Sequence, residues 1–333
     1  MRLLIVVPEQ NRETGNWVTA MRLADGLESC GHRLAVVGVA IDSGAPLQRV
    51  RQQFDPDAVL LLHAFRSGRP WLESGLKPVP VLVLLTGTDV NQGLDDPTQE
   101  AVINQVFVSA KFILLQNRKL IEVLKCRRPE LGHKIEYLPP GVSLGNAPYP
   151  VRRQLGLDDD RALLLCPASV RPVKGVVELL ELGDQLALCR DDFHLACCGP
   201  LLAGDYAHRF LREIEGRCWA SYLGVIPHDA MASAIGSANL VLNNSFHEGL
   251  PNALVEADAL GVPILARDIP GNAEVVRNGE NGLLYSSAES FVSGAQQILD
   301  QPCWRSDRLA SEGDVVNWRE VERLDALLRS IAD

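Results

Sequence analysis

Glu248 and Glu256 stand eight residues apart in HEGLPNALVE, with the turn Gly249-Leu250-Pro251-Asn252 between them. Pro251 suits the first position of a helix and an acid near a helix start is favoured by the dipole, which accounts for Glu248 but poorly for Glu256. The stretch follows the apolar run LVLNNS and precedes ALVEADAL, a helical pattern that ends at Gly261. Several backbone N–H groups after Pro251 therefore lack intrahelical partners and form an anion site. The two carboxylates lie on either side of it, so a diphosphate held there leaves one acid for each end of a nucleotide-linked ligand. Acids eight apart are common in any chain; Gly249, Pro251 and the strand-turn-helix setting are what single out this pair. Arg171 and Lys174, in PASVRPVKGVVELLE, also lie after a strand and before a helix. Solvated loops are the usual place for Lys and Arg, but that position points to phosphate. The next corner, ARDIPGNAEVV, adds Asn272 and Glu274 beside a glycine turn.

Such residues need a scaffold that gathers strand ends. The chain has 333 residues, 47% hydrophobic and 22% charged, which suits a soluble enzyme and is too long for one core, so two domains are expected. Short apolar runs alternate with amphipathic stretches, the pattern of parallel strands covered by helices on both faces. LLIVV, RLAVVGV, AVLLLH, VPVLVLL and FILLQ are the expected strands of a first domain, residues 1–143. The segment VTAMRLADGLESCGH between the first two carries Ala20, Leu23, Ala24 and Leu27 at helical spacing and stops at Gly31. A turn-rich segment from Tyr137 to Asp160 reads as a linker. Alternation restarts with ALLLCPASV, FHLACCGP, ASYLGVI, LVLNNS and VPILARD in a second domain, residues 144–314. The expected fold is α/β, two Rossmann-like doubly wound parallel-sheet domains, with ligands beyond the carboxyl ends of the strands in a cleft between them. A last helical stretch, VVNWREVERLDALLRSI, within 315–333, is too detached to be the core of either sheet.

HEGLPNALVEADALGVPILARDIPGNAEVVRNGENGLLY resembles the motif region of family-four retaining glycosyltransferases of GT-B fold, with Glu, seven residues, Glu. PASVRPVKGVVELLE resembles the family's Arg and Lys-Gly segment, ACCGP its base-contacting strand end, and LGVIPHDAM its glycine turn near the nucleobase. The resemblance covers essentially the whole chain and is strongest from Leu163 to Tyr285. It implies that Arg171 and Lys174 neutralise the diphosphate of a nucleotide-sugar donor, that Glu256 accepts hydrogen bonds from the ribose, and that Glu248 faces the transferred sugar. Gly199, Pro200, Gly224, Gly249, Leu250, Pro251 and Asn252 join the donor site on the same grounds. It further implies a UDP-linked donor, retention at the anomeric carbon, and a last helix that returns to the first domain. In the first domain TGNWVTA occupies the place of the family's glycine-rich donor and acceptor loop, with one glycine, Gly15, where two are common, and the resemblance adds Gly15 and Asn16 to the donor site. LLHAFRSG and LTGTDVN place His63, Arg66, Thr88 and Asp89 at strand ends facing the ligand side, His63 as a candidate catalytic residue and Arg66, Thr88 and Asp89 on the acceptor or sugar side, although a lone His is as often structural and Asp89 could simply cap its turn. These first-domain segments resemble a subgroup that includes the bacterial selenosugar synthases, which leaves open a small inorganic or thiol-like nucleophile in place of a saccharide acceptor.

Other classes fit less well. A net charge of −10 argues against nucleic acid as a partner, and it is uneven: residues 1–143 hold 16 Lys+Arg against 15 Asp+Glu, the remainder 16 against 27. Asp55-Pro56-Asp57 and Asp158-Asp159-Asp160 contain Asp-x-Asp, but both precede strands and so lie opposite the ligand side. No metal and no cofactor beyond the donor substrate is expected. The eight cysteines, at 30, 126, 166, 189, 197, 198, 218 and 303, lack Cys-x-x-Cys spacing and read as reduced thiols in a cytoplasmic protein. No stretch has the roughly 18 apolar residues of a membrane span, and the basic run KLIEVLKCRRPELGHK reads as a solvent-facing helix rather than a peripheral membrane contact. An NAD-dependent oxidoreductase would need Gly-x-Gly-x-x-Gly after a strand, and none occurs. A catalytically silent nucleotide-sugar-binding protein is the remaining alternative; the presence of all four charged residues, Glu248, Glu256, Arg171 and Lys174, speaks against it.

Overall fold

The computed structural model describes residues 1–9, 11–43, 45–75, 78–301, 304 and 318–331. Cys303, Asp314 and the first residues of the final helical stretch, 315–317, lie outside the described residues. The chain divides into two compact units, Met1–Gly141 with Val316–Asp333, and Val142–Val315.

Unit 1 is a six-stranded sheet of β1 (Arg2–Val7), β2 (Arg33–Gly38), β3 (Ala58–Leu62), β4 (Val81–Leu84), β5 (Ala110–Leu115) and β6 (Ile135–Tyr137), all pairing in parallel in the order β2-β1-β3-β4-β5-β6. Unit 2 repeats the design with β7 (Ala162–Pro167), β8 (Phe193–Cys198), β9 (Ala220–Tyr222), β10 (Leu240–Asn243), β11 (Ile264–Arg267) and β12 (Gly282–Tyr285), in the order β12-β11-β10-β7-β8-β9. Central strands are apolar throughout because helices cover both faces; every residue of AVLLL in β3 is buried. Each sheet thus has a core on either side, in unit 2 one built around Leu164, Leu180, Phe210 and Phe291, the other around Leu163, Val241, Leu254 and Ile264.

Strand order fixes where a ligand can enter. In unit 1 the chain moves from β1 to β2 on one side and then returns to place β3 on the other; in unit 2 β8 and β9 lie on one side of β7 and β10 on the other. The order reverses between β1 and β3 and between β7 and β10, and a crevice opens beyond the carboxyl ends of each pair.

Two strands were not expected from the sequence, β6 (IEY) and β12 (GLLY), and both are sheet edges. An edge strand needs only one partner, so three or four residues suffice and no long apolar run marks it. The Tyr137–Asp160 segment is not wholly a linker: Tyr137 ends β6, and Val151–Leu155 forms a short helix closed by Gly156 in the left-handed region, φ 63. The helix Gly15–Ser29 runs where its apolar spacing places it and is followed by Gly31 at φ 86. The last helix, Trp318–Ser330, buries Val321, Leu324, Leu327 and Leu328 in the same cluster as Trp17, Leu23 and Leu27 of unit 1. Its Glu320 is buried against Arg22, which donates through Nε at 2.8 Å and Nη2 at 3.0 Å, and against Gln116 at 2.6 Å.

Among the described residues no helix is long and apolar enough to cross a membrane. Cys166, Cys197 and Cys198 are buried side by side on β7 and β8; the neighbouring Cys166 and burial raise the Cys197 thiol well above its ordinary value, and burial raises that of Cys198. Both Asp-x-Asp stretches lie in connections that precede strands, Asp159 and Asp160 in a turn and Asp57 in a bend. Arg2 donates to Asp57 from its backbone at 2.7 Å and from Nη2 at 2.8 Å and approaches Asp55 at 3.2 Å, while Arg152 donates to the Asp158 carbonyl at 3.1 Å.

Candidate active site

In unit 2 the residues after β7 and those after β10 meet at the crevice. Arg171 opens a single 3-10 turn, Pro172–Lys174, and Gly175 at φ 58 then starts the helix Val176–Ala187. That glycine is required twice over: its φ lies in the left-handed region, and a Cβ would come within 2.6 Å of the Asn244 carbonyl oxygen. From across the crevice Asn244 donates to the Gly175 carbonyl at 2.6 Å, and Phe246 N–H donates to the Val173 carbonyl at 2.9 Å. These contacts set Lys174 Nζ 2.5 Å from Glu248 Oε1.

Three donors converge on that oxygen, since Ser245 Oγ donates at 2.7 Å and Asn243 Nδ2 at 3.4 Å. Asn243 is itself oriented, accepting from Ser245 N–H at 2.9 Å and from Asn272 at 3.3 Å. Burial pushes the Glu248 carboxyl up, but the Lys174 ammonium and the hydrogen bonds from Lys174, Ser245 and Asn243 outweigh it and hold the group below its usual value. Glu248 is thus a fixed carboxylate at neutral pH. Gly271, in the corner after β11, lies against it so closely that a Cβ would meet the Glu248 Cβ at 2.5 Å. Lys174 makes one hydrogen bond among the described residues, whereas an ammonium has three donors.

The helix Asn252–Ala259 starts directly after this turn, with Pro251 as its cap (φ −81, ψ 102) rather than as its first helical residue. Glu256 follows in the second turn, buried. Beyond β8, Gly199 at φ 139 sits where a Cβ would lie 2.3 Å from the Ala168 carbonyl, and its own carbonyl accepts from Tyr222 Oη at 2.6 Å. Gly199 N–H donates to the carbonyl of Gly224, itself at φ 73, and Pro200 accepts from Val170 N–H at 2.8 Å. Arg171, Lys174, Gly199, Pro200, Gly224 and the turn 248–251 thus follow the carboxyl ends of unit 2 strands, whereas Gly15 and Asn16, also expected at the donor, lie in unit 1. Arg267 is a different kind of cation: it donates to Asn244 Oδ1 from Nη2 at 2.7 Å and from Nε at 3.1 Å, and lies over the Phe246 ring at 4.6 Å.

In unit 1 His63 follows β3 at φ 76, a conformation that costs a non-glycine residue about 1–2 kcal/mol. Phe65 and Arg66 backbone N–H groups each approach His63 Nδ1 at 3.2 Å, which assigns the ring as neutral with its proton on Nε2, 3.0 Å from Thr88 Oγ1. The 3.8 Å approach of Asp89 to Nδ1 is then no ion pair. Asp89 caps its turn, the second of the two readings that its strand-end position allows. It is 1% exposed and accepts from the backbone N–H groups of Ala64 (3.1 Å), Thr86 (3.2 Å), Gly87 (2.9 Å) and Val90 (3.2 Å), so it clamps the turns after β3 and β4 together.

Arg66 and Asn16 meet through a residue the sequence reading passed over. Glu9, just beyond β1, accepts from Arg66 Nη1 at 2.8 Å and from Asn16 Nδ2 at 2.9 and 3.0 Å, and its carbonyl accepts from the Trp17 indole at 2.8 Å. Gly15 is the first residue of the helix capped by Thr14. Glu9, Asn243, Asn244 and Ser245 share one signal that could have found them: each is a polar residue at or just beyond the carboxyl end of an apolar parallel strand.

Residues 150–313 match the family described as glycosyl transferases group 1. Glycosyltransferase 1 domain-containing protein 1 of Xenopus tropicalis is 27% identical over 301 residues, 87% of this chain and 85% of the relative. The chain spans about half the length of further curated relatives named D-inositol 3-phosphate glycosyltransferase. Among solved structures, sucrose-phosphate synthase from Thermosynechococcus elongatus superposes with a TM-score of 0.76 at 17% identity, over 100% of this chain and 96% of that one. Anabaena HepE, solved with UDP and glucose, superposes at 0.69 and 16% identity, over 99% and 100%. The two six-stranded parallel sheets form a GT-B fold, residues 150–313 match the group 1 glycosyl transferases, and the chain is a glycosyltransferase.

Proposed function

We propose that the protein is a family-four enzyme that transfers a sugar, with retention, from a UDP-sugar to an acceptor hydroxyl without a metal ion. The observation that carries this reading is the Lys174–Glu248 pair at the β7/β10 crevice, 2.5 Å apart and next to the start of the helix Asn252–Ala259. Breaking the bond from the anomeric carbon to phosphate concentrates negative charge on the departing diphosphate. Lys174 has donors to offer it, Arg171 opens the same turn, and the amides after Pro251 add a helix amino terminus. Glu248, on the other side of Lys174, is an acceptor for hydroxyls of the transferred sugar, and Glu256 for those of the ribose. Gly199, Pro200 and Gly224 form the nucleobase end, with Gly249, Leu250 and Asn252 lining the turn.

Unit 1 supplies the acceptor side in this reading, through His63, Arg66, Thr88 and the Gly15–Asn16 helix start, with Asp89 as a positioning residue. In unit 2 Glu248 is engaged by Lys174, Ser245 and Asn243, which suits a carboxylate that orients a sugar better than one that attacks it. The chemical step is then front-face: the leaving phosphate oxygen takes the acceptor proton as the acceptor oxygen bonds to the anomeric carbon on the same side.

The test is UDP release from UDP-glucose, with GDP- and ADP-glucose as controls, in the presence of excess EDTA. Turnover that prefers UDP-glucose and persists under EDTA is expected; strict dependence on added magnesium or manganese would refute the metal-free step. NMR of the first-formed glycoside decides retention.

A further inference from the structure

We propose that Glu9 selects the chemical class of the acceptor: by neutralising Arg66 it makes the unit 1 crevice a site for an uncharged, hydroxyl-bearing acceptor and closes it to phosphorylated acceptors and inorganic anions. This rests on the reading of unit 1 as the acceptor side. Guanidinium groups hold phosphate with two parallel bonds from one fork. In Arg66 both ends of the fork are occupied, Nη1 by Glu9 Oε1 at 2.8 Å and Nη2 by the Pro8 carbonyl at 3.0 Å. An anion reaching the remaining N–H donors of Arg66 would still meet the Glu9 carboxylate, which repels it and already cancels the guanidinium charge.

Glu9 cannot simply swing aside. Asn16 donates to both of its oxygens, Thr14 Oγ1 lies 3.5 Å from Oε2, and the Glu9 carbonyl is anchored to the indole of buried Trp17. Among the neighbouring groups His63 accepts backbone N–H bonds at Nδ1, Asp89 is a backbone clamp, and the Arg12 guanidinium is engaged with the face of the Trp17 ring, 5.4 Å from its centre. What the β1 and β3 ends offer is a matched ion pair with the Asn16 amide and the Thr88 hydroxyl, groups that pair with hydroxyls.

Inorganic phosphate titrated into the 15N-labelled full chain tests this without any acceptor, read at the backbone amide of Asn16 and the Nε–H of Arg66. Wild type should show no saturable shift at either. Glu9→Gln, which keeps the shape and removes the charge, should give a saturable shift with affinity raised roughly tenfold or more, and Glu9→Gln/Arg66→Met should lose it. Glu9→Ser serves in the same titration if the Gln variant unfolds. Phosphate that saturates Arg66 equally in wild type, or no gain in the Glu9 variants, overturns the proposal. With UDP-glucose as donor, wild type should transfer to glycerol in preference to glycerol 3-phosphate, and Glu9→Gln should narrow that ratio; an unchanged ratio counts against it. Failure to bind UDP would refute the proposed transfer, while the phosphate titration would still decide the role of Glu9.

Discussion

The two crevices share one construction with opposite polarity. In unit 1 the acid, Glu9, follows the first strand and the cation, Arg66, follows the strand across the switch point; in unit 2 the cation, Lys174, follows the first strand and the acid, Glu248, the strand across it. The difference lies in what remains of the cation. Arg66 uses two of its five N–H donors, one at each end of its fork, on protein acceptors, whereas among the described residues Lys174 uses one of three, on Glu248 alone. In both units the donors converge on the acid, Arg66 and Asn16 on Glu9 and Lys174, Ser245 and Asn243 on Glu248, but only in unit 2 does the paired cation stand beside a second cation, Arg171, and a helix amino terminus. One topology thus yields a neutralised crevice and an anion-seeking one.

Removing the two cations should break that comparison most sharply. Lys174→Ala takes away charge that meets the leaving diphosphate, and loss of such a group costs about 3–4 kcal/mol, or roughly 10²–10³ in turnover. Arg66→Ala should cost about tenfold or less, because Arg66 meets Glu9 rather than the developing charge. UDP release from UDP-glucose measures both. Equal losses would mean that the two pairs do the same work.

Next in size is the backbone that presents Lys174. Gly175→Ala forces a left-handed φ on alanine and drives its Cβ to within 2.6 Å of the Asn244 carbonyl, so a loss of roughly 2–3 kcal/mol is expected. Gly31→Ala in unit 1 supplies the control: its φ is 86 but nothing lies within 4 Å of the added carbon, which leaves strain alone, about 1 kcal/mol. Urea denaturation should rank the two in that order, and a Gly31 variant as damaged as the Gly175 variant would show that strain rather than the Asn244 contact dominates.

How much of this was legible follows from where each residue sits. Central strands announce themselves as buried apolar runs, so the doubly wound pattern could be read directly, while β6 and β12 could not because edge strands need little apolar sequence. Glu248, Lys174 and the helix start at Asn252 are legible because strand, turn and helix are contiguous in sequence. Glu9 is not: its partners Asn16 and Arg66 are 7 and 57 residues away, and only the strand order brings them together. Asp89 shows the converse limit. A polar residue at a strand end looks the same in sequence whether it faces a ligand or, as here, ties four backbone amides.

The smallest effect is electrostatic and tests whether Glu248 is held as an anion by its surroundings. Its carboxyl is kept below the usual value in the folded state, against the push of burial, by Lys174 and the donors around it, whereas an unfolded glutamate titrates at about 4.3. A group with a depressed folded value binds its proton more tightly when unfolded, so its contribution to stability is present above the unfolded value and fades as pH falls through the folded one. Glu248→Gln removes that contribution at every pH. Wild type should therefore exceed the variant in urea midpoint at pH 7, and the two curves should converge as pH drops below about 4. Asp57, Asp192 and Asp325, also held low by arginine neighbours or backbone contacts, contribute to acid lability in both proteins and cancel in the difference. A gap that stays constant from pH 7 to pH 3 would mean that Glu248 acts through shape alone, and the anion-seeking character of unit 2 would then lose the charge balance on which its contrast with unit 1 depends.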